Sequence, residues 1–123
     1  MRAVFVDVKN NIIREVNVND LHDYYSLIDC RCIDIVNREI NGKRYDIVCD
    51  DEALLKNDIH LSAVDMDGNP MLIGNLIVAG EADENGELTD LTDEDITHIK
   101  GNIYKLKTVK NVDGNYMVYG LKY

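Results

Sequence analysis

Residues 81–92 of this 123-residue chain carry oxygen-bearing side chains at spacings that invite comparison with a calcium-binding loop. Glu81, Asp83, Asn85 and Gly86 fall at positions one, three, five and six, with Leu88 at eight and Thr89 at nine. A calcium loop of this type needs a bidentate glutamate at its twelfth position, where this chain has Thr92, and it opens on aspartate rather than glutamate. The residues ahead of it read as a strand, not as an entering helix. A hydrated loop turned by Asn85-Gly86 is the expectation. Asp65-Met66-Asp67-Gly68 is a weaker version of the pattern, its glycine arriving two residues early.

Cys30, Cys32 and Cys49, joined by His22, His60 or His98, offer the thiols and imidazoles of a zinc site. Structural zinc is usually held by two close cysteine or histidine pairs, and only one close cysteine pair exists here. Cysteine is also among the most readily buried residues, so core packing is expected. A catalytic thiol would require a neighbouring base that the sequence does not locate. Asp46, Asp50, Asp51 and Glu52 gather carboxylates at the end of a strand. Adjacent strand residues point to opposite faces, so a helix N-cap by Asp50 or Asp51 ahead of Ala53-Leu54-Leu55 is preferred to a chelate. No Ser/His/Asp spacing, P-loop or dinucleotide fingerprint is present. The sequence nominates no catalytic residue, no metal and no cofactor.

Two further stretches carry chemistry through charge. Glu81, Asp83, Glu84, Glu87, Asp90, Asp93, Glu94 and Asp95 lie in a segment, 81–99, that contains no lysine or arginine. Such a segment forms either a hydrated face or an acidic interaction surface that competes for a basic site where phosphates would sit. The C-terminal stretch is the opposite case. Lys105, Lys107 and Lys110 lie among Tyr104, Tyr116, Tyr119 and Tyr123, a mixture able to hold a phosphate or stack on a base. Strand alternation would put Tyr104, Leu106 and Thr108 on one face and Ile103, Lys105, Lys107 and Val109 on the other. Ordinary amphipathic strand behaviour explains the same pattern.

These stretches sit on an uneven charge distribution. Residues 1–99 contain eight Lys/Arg and 22 Asp/Glu, and residues 100–123 contain five lysines and one aspartate, giving −14 and +4 and the overall −10. An acidic body argues against direct binding of duplex nucleic acid, which needs a basic surface to displace counterions. It suits solubility, or a basic protein partner. The apolar content of 46% and charged content of 29% are those of a folded chain. The longest apolar run, Leu76 to Ala79, is strand-sized, so no membrane span is expected. Asp7 and Lys9 interrupt the apolar N-terminus, and three cysteines are an odd number, so a cytoplasmic location with reduced thiols is expected.

The elements that must position these residues follow from periodicity. Ala3 to Val8 and Ile12 to Val18 read as two strands joined by a tight turn. Asn19 or Asp20 caps a helix with Leu21, Tyr24, Tyr25 and Ile28 on one face. Cys32 to Ile40 and Lys43 to Cys49 flank Asn41-Gly42, the pair favoured in a two-residue type I′ turn. That turn pairs Glu39 with Arg44, Val36 with Ile47 and Ile35 with Val48, predicting an apolar base, a solvent-exposed tip and a Glu39–Arg44 ion pair. Met71 to Ala79 is a strand broken by Gly74. Thr92 and Asp95 begin a helix with Ile96 and Ile99 inward and Gly101 at its close. Asn102 to Val109 and Tyr116 to Leu121 form a second hairpin. The expectation is one α+β domain over residues 1–123, mainly antiparallel, with six or seven strands and two or three short helices.

The stretch Ile28-Asp29-Cys30-Arg31-Cys32-Ile33-Asp34-Ile35-Val36, with Ile40 to Glu52 and Asn69-Pro70-Met71 through Val78, resembles the uncharacterised family DUF3846 over about residues 3–100. The family offers no established activity and no catalytic residues to carry over. The resemblance implies a habitat among the accessory genes of Firmicutes, their phages and conjugative plasmids. Together with charge and size it implies a small non-catalytic interaction protein with a basic protein partner, of the kind that blocks a host defence protein. The alternative is a small-ligand, nucleotide-type binding domain using Tyr104, Lys105, Lys107, Tyr116 and Tyr119.

Overall fold

Asn41 and Gly42 both adopt positive φ, 43° and 88°, as a type I′ turn demands. They join β3 (Ile33–Ile40) to β4 (Lys43–Asp50) in the register expected from the turn, with Ile40 opposite Lys43 and Val36 opposite Ile47. The structure is a computed structural model that describes residues 1–8, 10, 12–53, 61–64, 70–111 and 114–121; for 61–64, 70–71, 104–111 and 114–121 it describes the backbone alone. The remaining elements are β1 (Arg2–Asp7), β2 (Ile12–Asn17), α1 (Leu21–Ile28), β5 (Leu61–Val64), β6 (Pro70–Ile73), β7 (Leu76–Ala79), α2 (Asp93–Asn102), β8 (Ile103–Asn111) and β9 (Gly114–Leu121).

A five-stranded antiparallel sheet of order β2-β1-β7-β4-β3 forms the centre of this α+β fold. Successive residues of a strand point to opposite faces, and the middle strands are buried on both. Val4, Val6, Ile47 and Val78 pack with Ile96 and Ile99 of α2 on one face. Ala3, Phe5, Val48 and Ile77 pack with Ile28 of α1 on the other. Buried Asn75 ties the layers together: its Oδ1 accepts the Val8 N–H at 3.0 Å and its Nδ2 donates to the Leu27 carbonyl at 3.5 Å.

Nine strands stand among the described residues where six or seven were expected. β5 has no alternating pattern to announce it. Gly74, at φ 84°, splits the expected strand from Met71 to Ala79, so that β6 pairs with β5 while β7 enters the main sheet. β8 and β9 form a separate hairpin, and β5 runs alongside β9.

Both helix starts follow the sequence. Asp20 with Asp23, and Thr92 with Asp95, form reciprocal capping boxes. α1 turns differently from the expected face. Leu21 is 53% exposed, and Leu27 joins Tyr24 and Ile28 against the sheet. α2 continues through Gly101 to Asn102 and passes directly into β8.

The tip of the β3–β4 hairpin is exposed as expected at Asn41, Gly42, Lys43 and Arg44, but it is also tethered. Ile40 is fully buried, and its carbonyl accepts from His98 Nε2 of α2 at 2.7 Å. Asn41 Nδ2 donates to Asn102 Oδ1 at 2.9 Å, and Lys43 pairs with Asp95. At the base β4 is buried from Ile47 to Asp50, while β3 is more open, with Ile35 47% exposed. Arg44 stands opposite Glu39 but bonds to Asn37 instead.

Candidate functional site

Two of the large apolar side chains left exposed, Leu21 and Ile35, line the same concavity. It is a groove of about 560 Å³ on the α1 face of the sheet. Met1, Tyr24, Ile33 and Leu88 supply further apolar surface, while Asp20 and Glu87 stand in its wall. The local reasons are separate for each side. Asp20 caps α1 and thereby places Leu21 at the first helical position, one turn from Tyr24. Alternation along β3, an edge strand, puts Ile33 and Ile35 on the α1 face, where no further strand among the described residues covers them. Burial raises the Tyr24 phenol above its ordinary value, and its hydroxyl lies 4.0 Å from Met1 Sδ. Sequence reading missed this groove because Leu21 looked like a core position.

The acidic loop delivers Glu87 and Leu88 to the groove. Gly80 and Thr89 close the loop as a backbone bridge, with N–H···O distances of 3.0 and 3.3 Å. Inside it, Asp83 Oδ1 accepts the backbone N–H groups of Asn85 and Glu87 at 2.9 and 3.1 Å. Gly86, at φ 77°, completes the turn. Leu88 packs on the α1 face, whereas Leu91 is buried on the α2 face, so the segment wraps from one side of the sheet to the other.

Seven of the eight acids of residues 81–99 are exposed, Asp95 being buried, and they differ in their partners. Glu81 accepts from Asn37 Nδ2 at 3.0 Å. Asp90 accepts the Arg2 N–H at 2.7 Å, and Asp93 pairs with the Arg2 guanidinium at 2.6 Å. Asp95 faces inward at 6% exposure and belongs to the clamp between α2 and the hairpin tip. Burial opposes its ionisation, but the Lys43 ammonium and the Thr92 N–H and hydroxyl outweigh that and hold its carboxyl at about 2. Burial first, then the Asp95 charge, raises the Tyr45 phenol, whose hydroxyl donates to Asp95 Oδ1 at 3.3 Å. Exposed Glu84, Glu87 and Glu94 make no ion pair among the described residues.

A second cavity, of about 490 Å³, opens on the α2 face and includes Val36, Arg38, Cys49, Asp51 and Leu72 in its wall. Arg38 Nη1 donates to the Asn37 carbonyl at 2.9 Å, while its buried Nε has no partner among the described residues. The nearby carboxylates are individually engaged. Asp46 accepts from Asn37 Nδ2 and the Ala82 N–H, Asp50 accepts the Glu52 N–H, and Glu52 forms a two-pronged pair with Arg31 at 2.8 and 2.9 Å. Among the described residues no three His, Cys, Asp or Glu side chains converge as metal ligands. Cys49 packs on the α2 face and Cys30 against the α1 face, which separates them across the sheet.

Neither Cys32 nor Cys49 is an activated thiol. A hydrogen bond to Glu52 raises the exposed Cys32 thiol above its ordinary value, and burial pushes Cys49 up to about 11. At pH 8, a disulfide reagent should therefore modify Cys32 before Cys49, and Glu52→Gln should quicken Cys32. Time-resolved thiol titration with mass mapping checks the order. Prior modification of Cys49 would show that its side of the sheet opens readily.

β8 pairs with β9 from Ile103–Leu121 to Asn111–Gly114, but the register shifts between Leu106 and Val109. The shift leaves β8 with one more residue than β9 between these pairs, the signature of a β-bulge. The side chains of Tyr104, Lys105, Lys107, Lys110, Tyr116 and Tyr119 lie outside the described residues, as do Lys122 and Tyr123. His60, Leu54-Leu55 and Asp65 to Gly68 also fall outside them. No described helix is long and apolar enough to cross a membrane.

A family model described as Domain of unknown function (DUF3846) matches residues 1–104, slightly more than the span on which the resemblance rested. No curated protein and no solved structure matches the chain.

Proposed function

We propose, from the premise that this chain belongs to the DUF3846 family, that it is a non-catalytic interaction protein whose acid-rimmed apolar groove receives a basic protein partner. The observation that carries the reading is the placement of exposed Leu21 and Ile35 together beside Asp20 and Glu87. Scattered apolar residues on a surface need no explanation, but a collected patch rimmed by one sign of charge suits a partner of opposite sign. The body's net −14 over residues 1–99 extends the attraction beyond the rim. Occupying a basic site on a host protein is the form of action such a surface serves, in keeping with the mobile-element habitat that the family resemblance implies.

The test compares tagged wild-type protein with Leu21→Glu and Ile35→Glu on a host lysate. Both side chains are half exposed, so each variant should melt within about 2 °C of wild type. The expected result is a protein retained by wild type, lost from both variants, and released by salt at about 0.5 M. Equal retention by the variants, or retention indifferent to salt, would overturn the proposal.

A further inference from the structure

Resting on that reading, we infer that the groove's occupant is a segment of a basic protein with one apolar anchor side chain, docked through side chains rather than as a sixth strand. β3 is an edge strand, which ordinarily offers its outward N–H and C=O groups for pairing with another chain. The type I′ hairpin pairs Ile40 with Lys43, so the backbone groups of the even-numbered β3 residues face β4. Those of Ile33, Ile35, Asn37 and Glu39 face outward. Two of these positions are guarded by this chain's own side chains. Asp34 Oδ1 accepts the Ile35 N–H at 2.9 Å, and Arg38 Nη1 donates to the Asn37 carbonyl at 2.9 Å. A partner strand would have to displace both before extending the ladder across the middle of β3.

Side-chain insertion requires no such displacement. Between Leu21, Tyr24, Ile35 and Leu88 the groove has room for an apolar side chain, with Asp20 and Glu87 beside it for flanking lysines or arginines. Charge also selects against a second copy as the occupant. The body of each copy, residues 1–99, carries −14, and its Arg2, Arg31 and Lys43 are already held in ion pairs.

The probe is a fluorescein-labelled peptide of alternating lysine and alanine with one central leucine, titrated against the full chain by fluorescence anisotropy. Saturable binding is expected, with a loss of about tenfold or more when the leucine becomes alanine. Leu21→Glu should remove the same preference, and methylating alternate backbone nitrogens of the peptide should change affinity by less than about threefold. Equal binding of the leucine and alanine peptides would overturn the anchor while leaving a basic partner in place. Loss of binding on backbone methylation would establish strand addition and overturn side-chain docking. No binding of any lysine peptide would overturn both the inference and the basic-partner reading. Self-association of the protein at assay concentrations, abolished by Ile35→Glu, would give the groove to a second copy.

Discussion

Replacing Asp95 with alanine is expected to destabilise the fold by about 3 kcal/mol and to lower its melting temperature by about 10 °C. Three losses coincide at one side chain. Asp95 accepts the Thr92 N–H at 3.0 Å, completing the capping box that starts α2, and such caps contribute about 1 kcal/mol. It accepts the hydroxyl of Tyr45, a residue 1% exposed; a buried hydroxyl deprived of its acceptor costs about 1–3 kcal/mol. It also pairs with Lys43, which is 57% exposed, so this third loss is screened and small. Tyr45→Phe should therefore cost less in the Asp95→Ala background than in wild type, because the stranded hydroxyl is then removed with its acceptor.

The same carboxyl gives the fold a pH dependence of known sign. Its folded value of about 2 lies below its ordinary 3.8. Its contribution is full above about pH 4 and disappears as the pH falls through about 2. The stability difference between wild type and Asp95→Asn should shrink over that window, as measured by urea unfolding at a series of pH values. A difference that stayed constant from pH 6 to pH 2 would show that the charge on Asp95 contributes nothing.

That clamp also marks where sequence reading stopped. Asn41-Gly42 set the hairpin register because turn chemistry is local, and Thr92 with Asp95 set the start of α2 for the same reason. The contact between them was invisible: His98 and Ile40 are 58 residues apart, and nothing in either pattern names the other. An exposed asparagine-glycine turn gives no sign that Ile40 and Asn41 are tied to a helix. Gly74 was readable as an interruption, yet not as the point where consecutive strands leave for different sheets. The groove was the least legible feature. Met1, Leu21, Ile33, Ile35 and Leu88 come from four separated stretches, and each one satisfies an ordinary core pattern where it stands. Only the edge position of β3 and the rotation of α1 leave them open.

Gly80→Ala is the substitution expected to disturb that groove from a distance. A Cβ at Gly80 would stand 2.3 Å from Thr89 Oγ1 and 2.9 Å from the Thr89 carbonyl oxygen. The first clash can be relieved by rotating Thr89, at the loss of the 2.9 Å bond from its hydroxyl to the Glu81 carbonyl. The second involves backbone and yields only if the Gly80–Thr89 bridge opens. Destabilisation by about 2 kcal/mol is expected, with faster hydrogen exchange at the Gly80 and Thr89 amides. Because the bridge closes the loop that carries Glu87 and Leu88, binding at the groove should weaken in parallel. Gly80→Ala with Thr89→Ala removes the hydroxyl clash but keeps the carbonyl one, so only part of the stability should return. Gly101→Ala is the control: it lies inside α2 with nothing within 4 Å of the added Cβ, and it should stabilise by up to about 1 kcal/mol. A Gly80→Ala protein as stable as wild type, with both bridge amides still protected, would show that the loop adjusts around the added carbon. The rim of the groove would then be set by Leu88 packing alone.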